Sequence, residues 1–121
     1  MGSEAVEMEE KLQYINSVDP EGSERLRRLL DRRSFLLDRN VYGERFTERQ
    51  FSLVFDPLLE SAYEKAQIME QLGTQDSTVA ALAAALSMDK ARVFDHLKDL
   101  LKKNMVEIMA FQERHPVFRK R

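Results

Sequence analysis

Apolar residues recur at helical spacing along most of this 121-residue chain and gather into strand-like runs only near its end. Ala5 to Ile15 suits a short helix, which the turn-rich run Ser17-Val18-Asp19-Pro20-Glu21-Gly22 is expected to stop, with the extreme N-terminus disordered. Ser23 is placed to cap a second helix reaching about Asn40, in which Leu26, Leu29, Leu30, Leu36 and Leu37 mark the buried face. Arg25, Arg27, Arg28, Arg32, Arg33 and Arg39 occupy its other faces, interleaved with Glu24, Asp31 and Asp38 at spacings that favour intrahelical ion pairs. Val41-Tyr42-Gly43 closes that helix. Thr47 and Gln50 have capping-box spacing and begin a third helix, which Asp56-Pro57 is expected to interrupt. Leu58 to Leu72 then reads as a fourth helix ended by Gly73, and Phe46, Phe51, Val54 and Phe55 as an apolar cluster in the core or at a dimer seam.

The remainder changes character. Ser77 suits the cap of a helix with Val79, Leu82, Ala83 and Leu86 on one face, and Ser87-Met88 makes a tight turn. Asp89 then caps a helix over 89–103 that carries Val93, Leu97, Leu100 and Leu101 inward, with Lys90, Arg92, Asp95, Lys98, Asp99 and Lys102 outward. Asn104 suits a left-handed stop. Val106 to Phe111 is strand-prone, Gln112 to Pro116 forms a polar turn, and Val117-Phe118 resumes a strand finishing in Arg119-Lys120-Arg121. Two helices, a turn and a hairpin in that order outline a winged helix-turn-helix. The expected fold is therefore mostly α, with N-terminal helices ahead of a winged helix-turn-helix and its C-terminal two-stranded β-hairpin wing. Three segments follow: an N-terminal arm over 1–22, a helical dimerisation or docking region over 23–72, and the winged helix over 73–121.

Gly73 to Arg121 resembles the winged-helix repressors of the ArsR-like and MarR-like groups. The resemblance rests on Ala91-Arg92-Val93-Phe94-Asp95-His96-Leu97-Lys98-Asp99-Leu100 followed by Asn104-Met105-Val106. In those families the corresponding helix carries a valine, a polar pair, His-Leu and a further leucine, then Gly-Leu-Val entering the wing. It implies that helix 89–103 enters the major groove while the 105–121 wing lies on the backbone. The departure is at the polar pair, where Phe94 and Asp95 stand: a carboxylate repels phosphates, although Asp can accept from a cytosine amino group and Phe can touch a thymine methyl. On this reading the DNA-contacting residues are Lys90, Arg92, Phe94, Asp95, Lys98 and Lys102 on the helix, with Arg114, Arg119 and Arg121 on the wing.

Charge and composition narrow the classes. Residues 1–72 hold 10 Lys/Arg against 15 Asp/Glu, whereas 73–121 hold 9 against 6, so the reading head is the basic part of a chain of net charge -2. The absence of cysteine excludes disulfides, zinc-thiolate sites and thiol catalysis. His96 reads as a satisfied, half-buried side chain and His115 as an exposed residue of the wing turn, so neither a metal nor a cofactor is expected. The four glycines, Gly2, Gly22, Gly43 and Gly73, make no phosphate loop, and no nucleophile sits beside an oriented base, so no enzyme is expected. No apolar run approaches the roughly 20 residues that span a bilayer and no secretory signal is present, which places the expected protein in the cytoplasm without a membrane partner.

Two functions fit. The first is a homodimeric transcriptional regulator whose partner is double-stranded DNA. The second is a winged-helix interaction module or adaptor that has lost DNA binding and docks a protein partner through the surface altered by Phe94 and Asp95.

Overall fold

The computed structural model describes residues 2–33, 37 and 47–121. The chain divides into two compact units at Tyr63/Glu64. The first contains α1 (Gly2–Val18), α2 (Pro20–Asp31) and the opening turns of α3 (Glu48–Thr74). The second contains the closing turns of α3, then α4 (Val79–Leu86), α5 (Lys90–Lys102), β1 (Val106–Gln112) and β2 (His115–Lys120).

In the first unit α1 extends further than expected at both ends, because the run expected to form a loop contains only one non-helical residue. Asp19 holds non-helical backbone angles and its carboxylate accepts from the Gly22 amide at 3.2 Å, while Pro20 occupies a position where a missing N–H costs nothing. Asp19, not Ser23, is therefore the cap. A Cβ at Gly22 would collide with that carboxylate, which explains the glycine. Ser23 is buried and its hydroxyl donates to the Leu12 carbonyl at 3.1 Å, tying α2 to α1. Among the described residues of this unit, Leu12, Ile15, Leu26, Phe51, Phe55 and Leu59 are the buried apolar side chains.

Electrostatic ties reinforce the same packing. Lys11 donates to Glu60 at 2.8 Å, and this bond holds its amine above the usual lysine range. Tyr14 meets Tyr63 edge-on, with ring centroids 5.4 Å apart. An expected ion pair forms within α2 between Arg28 and Glu24 at 2.8 Å, and Arg25 lies 3.9 Å from Glu21, a residue of the expected turn that is helical here. Arg27 instead reaches across to Glu9 of α1 at 2.7 Å. α2 ends at Asp31 with Arg32 as its C-cap, short of the expected Asn40. Leu36, Asp38, Arg39, Asn40, Val41-Tyr42-Gly43 and Phe46 lie outside the described residues.

The capping box at the start of α3 forms in both directions: Gln50 N–H donates to Thr47 Oγ1 at 3.1 Å, and Thr47 N–H donates to Gln50 Oε1 at 2.8 Å. Asp56-Pro57 does not interrupt the helix, which runs unbroken with Pro57 inside it. Proline deprives the Leu53 carbonyl of its helical donor, and Leu53 is exposed, so water can supply the missing bond. Phe51 and Phe55 stack with centroids 5.5 Å apart, but Val54 faces outward and does not join them.

In the second unit α3 passes through Gly73, the expected stop, and ends at Thr74. Thr78, one residue later than expected, caps α4 by accepting from the Ala81 amide at 3.2 Å. Ser77 is occupied otherwise: it forms an isolated bridge to Phe118, its N–H donating at 3.0 Å and its carbonyl accepting at 2.8 Å. The turn from α4 to α5 follows the sequence reading, with Ser87 in the left-handed region at φ 54° and the Met88 amide closing back on the Ala83 carbonyl at 3.0 Å. Asp89 occupies the cap position of α5 with extended angles but supplies no side-chain bond. Asn104, at φ 62°, ends that helix in the same manner: its N–H reaches Leu101 and that of Met105 reaches Leu100, the two bonds of a Schellman motif.

β1 and β2 pair antiparallel with Gln112 opposite His115, so the loop is two residues, Glu113 and Arg114, both with positive φ. That geometry matches the twist of the flanking strands and is tighter than the expected Gln112–Pro116 turn. His115 and Pro116 are thereby strand residues. A bulge between Ile108 and Ala110 leaves Met109 without a partner. Ala66, Ile68, Met69, Leu72, Leu82, Ala83, Val93, Leu97, Leu100, Val106 and Phe118 are buried, which gives α3, α4, α5 and the hairpin one apolar core.

Leu97 is fully buried in it. Replacing Leu97 by Ala is expected to lower stability by about 2–5 kcal/mol through lost burial and the cavity left behind. Chemical denaturation followed by circular dichroism measures this directly, and an unaltered midpoint would place Leu97 outside the core.

Candidate nucleic-acid interface

The outward face of α5 follows from its inward one. With Val93, His96, Leu97 and Leu100 buried, helical geometry turns Lys90, Arg92, Phe94, Asp95, Lys98 and Lys102 toward solvent, and all six are exposed. The arrangement brings these residues onto one element in the order expected. Arg114 stands at the tip of the hairpin, while Arg119 and Arg121 lie at its far end.

Most of the cations already have anionic neighbours. Arg92 Nε donates to Glu64 Oε1 at 2.5 Å. Lys98 lies 3.2 Å from Asp95 and 5.2 Å from the centroid of the Phe94 ring, so Phe94 and Asp95 both engage the same ammonium group. Arg119 donates to Glu107 at 2.5 Å, and Arg121 bonds Asn104 and lies 3.8 Å from Glu107. Among the described residues, Lys90, Lys102 and Arg114 make no ion pair within 4.0 Å. Lys103 and Lys120 are exposed basic residues of the same unit, absent from the sequence-based set.

His96 is 8% exposed and its Nε2 lies 2.7 Å from Glu64 Oε1. A carboxylate oxygen cannot donate when ionised, so that nitrogen carries the hydrogen. The satisfied histidine expected from the sequence is present, and its partner is a residue on α3 that the sequence reading overlooked. Lys65, the next residue, lies 3.0 Å from Asp99. Glu64 and Lys65 thus meet α5 at positions 92, 96 and 99, successive turns of one helical stripe. Their separations of 28 and 32 residues between Glu64 and its partners gave no local spacing signal. The only clue was a buried histidine in need of an acceptor.

Among the described residues no group of three or more His, Asp or Glu side chains is gathered for a metal ion. No described helix is long and apolar enough to cross a membrane.

Residues 64–107 match the family model described as bacterial regulatory protein, arsR family. The segment is similar to the arsR-type helix-turn-helix. Comparisons with curated proteins and with solved structures find no match. The arsR match begins at Glu64, the first residue of the second unit, and runs through α4 and α5 into β1. The closing turns of α3 therefore belong to the same module, although the sequence resemblance began only at Gly73. An arsR-type module supports a DNA-binding transcriptional regulator and points away from catalysis.

The Lys65–Asp99 bond has a pH signature. The lysine hydrogen bond, followed by the attraction of that same charge, holds the Asp99 carboxyl below its usual range. A carboxylate whose pKa is lower when folded stabilises the fold above the ordinary carboxylate range and loses that contribution as pH falls through its lowered value. Asp99 is about half exposed, so Asp99→Asn is expected to cost about 0.2–1 kcal/mol near neutrality. The difference between the two proteins should close on acidification. Urea melts of both proteins across that range check it, and a gap that stays constant with pH would remove the ion pair as its cause.

Proposed function

We propose that this protein is a homodimeric transcriptional regulator that inserts α5 in the major groove of DNA and rests its hairpin on the backbone. The observation that carries the reading is the outward face of α5, where Lys90, Arg92, Lys98 and Lys102 are exposed on the second helix of the segment that matches the arsR family. Lys90, Lys102 and Arg114 meet phosphates directly; Arg92, Lys98, Arg119 and Arg121 do so by exchanging a carboxylate partner for a phosphate. Phe94 and Asp95 face the base edges, where they can meet a thymine methyl and a cytosine amino group.

Dimerisation is assigned to residues 23–72. Leu53, Val54 and Leu58 on α3 are between 48% and 67% exposed, a cluster of large apolar side chains that a partner copy would cover. Two α5 helices would then reach successive major grooves about 34 Å apart. The cytoplasm, where such DNA lies, is the proposed location. A protein-docking module is the second reading, favoured by Phe94 at 46% and Phe111 at 70% exposure on the elements that would otherwise face DNA.

Fluorescence anisotropy of a labelled duplex of arbitrary sequence, titrated with protein at several salt concentrations, separates the two. A regulator should bind at low salt with a dissociation constant of order 10⁻⁴ to 10⁻⁶ M or tighter and lose affinity steeply as salt rises. No binding at low salt would favour the docking module. Reversing Lys90 and Lys102 together to Glu should weaken binding on every duplex tested and leave the melting curve unchanged, since both side chains are exposed and neither is ion-paired among the described residues. Full affinity in that variant would move the contact surface off α5.

A further inference from the structure

Glu64 occupies an unusual position for a carboxylate in a surface intended for phosphates. A single oxygen, Oε1, accepts from Arg92 Nε at 2.5 Å and from His96 Nε2 at 2.7 Å. The two donors stand one helical turn apart on α5, and Glu64 reaches them from α3. The Glu64 side chain is 12% exposed and that of His96 is 10% exposed, whereas the Arg92 side chain is 52% exposed. The carboxylate and the histidine are thus fixed at the inner edge of the surface, and the guanidinium lies partly in solvent within reach of either anion. Lys65–Asp99 holds the next turn of α5 against α3, so the register of this contact is set twice.

We propose that Glu64 acts as an internal stand-in for a DNA phosphate, holding Arg92 through its Nε and so setting how tightly α5 grips nucleic acid irrespective of sequence. His96 keeps the carboxylate in place by donating to the same oxygen. Arg92 must exchange Glu64 Oε1 for a backbone phosphate, and the freed carboxylate retains its bond from His96, so no buried acceptor is left unpaired during the exchange. Glu64 is a positioning residue: it touches no nucleic acid and acts through Arg92. The effect is to lower the affinity for arbitrary DNA, the background against which any specific site is found. This inference rests on the DNA-binding reading above.

The test is Glu64→Gln in the same salt-dependent anisotropy titration. Removing the competing charge should tighten binding to an arbitrary duplex by about threefold to tenfold at low salt, while the slope of log K against log salt should stay the same, because Arg92 meets the same phosphate in both proteins. A general loss of negative charge could also raise affinity, so Glu70→Gln, on an exposed position of the same helix, is the control and should give a smaller gain. In an Arg92→Gln background the Glu64→Gln gain should disappear. Should Glu64→Gln melt early, Glu64→Asp keeps the charge but draws it back by one methylene, and a folded Asp variant should fall between the parent and the expected Gln value. If the parent binds and Glu64→Gln does not bind more tightly, or if the gain persists without Arg92, this role for Glu64 is overturned and the DNA reading stands. If neither the parent nor the variants bind, the DNA reading fails and this role fails with it. Binding by the variant alone would support both.

Discussion

Helix α5 has one way to bury Val93, Leu97 and Leu100, and the function of the second unit depends on that constraint. These side chains, together with Leu82, Ala83, Val106 and Phe118, are almost wholly removed from water. Burial of a leucine stabilises by about 1.5–3 kcal/mol, whereas an exposed ion pair contributes about 0–1 kcal/mol, so the apolar face decides how the helix is rotated and the charged residues take the orientation that remains. Electrostatics on the outer face is thus an outcome of packing. It can be tuned by substitution without risk to the fold, and a surface of this kind can acquire Phe94 and Asp95 without disturbing the helix that carries them.

The same hierarchy explains what could be read in the sequence. The two helices, the left-handed stops at Ser87 and Asn104 and the hairpin were legible because each depends on local spacing or on backbone chemistry that a few residues determine. Errors arose where a tertiary partner overrode a local preference. Ser77 is as good a cap as Thr78 by composition, but its backbone is committed to Phe118, so the helix begins one residue later. Ser23 likewise yields the cap to Asp19 because its hydroxyl serves the Leu12 carbonyl. Pro57 has the local signature of a break, yet a helix with a solvent-facing carbonyl one turn earlier can absorb it.

The candidate site was legible in part for a related reason. Which residues of α5 face outward follows from its inward periodicity, and that was available from the sequence. Which of those residues are free to meet a new partner does not follow, because it depends on carboxylates from other elements. Glu64 neutralises Arg92 from α3, and Glu107 engages Arg119 and Arg121 across the hairpin. A count of basic residues therefore overstates the positive charge available on this unit, and the net excess over 73–121 omits Glu64 and Lys65, which lie just outside that range but face α5.

The consequence for DNA recognition is one of exchange. Cations that are already paired enter a phosphate contact by giving up a carboxylate, so the net gain per contact is smaller than for a free lysine, while the counterions released from the DNA are the same. On the proposed reading, such a surface binds arbitrary DNA weakly and keeps its dependence on salt. The proposed base-edge contacts are discounted in the same way, because Asp95 and Phe94 already engage the Lys98 ammonium group. On the proposed reading, the affinity for arbitrary DNA is therefore set by the carboxylates that occupy the cations of α5 and the hairpin, rather than by the number of basic residues they carry.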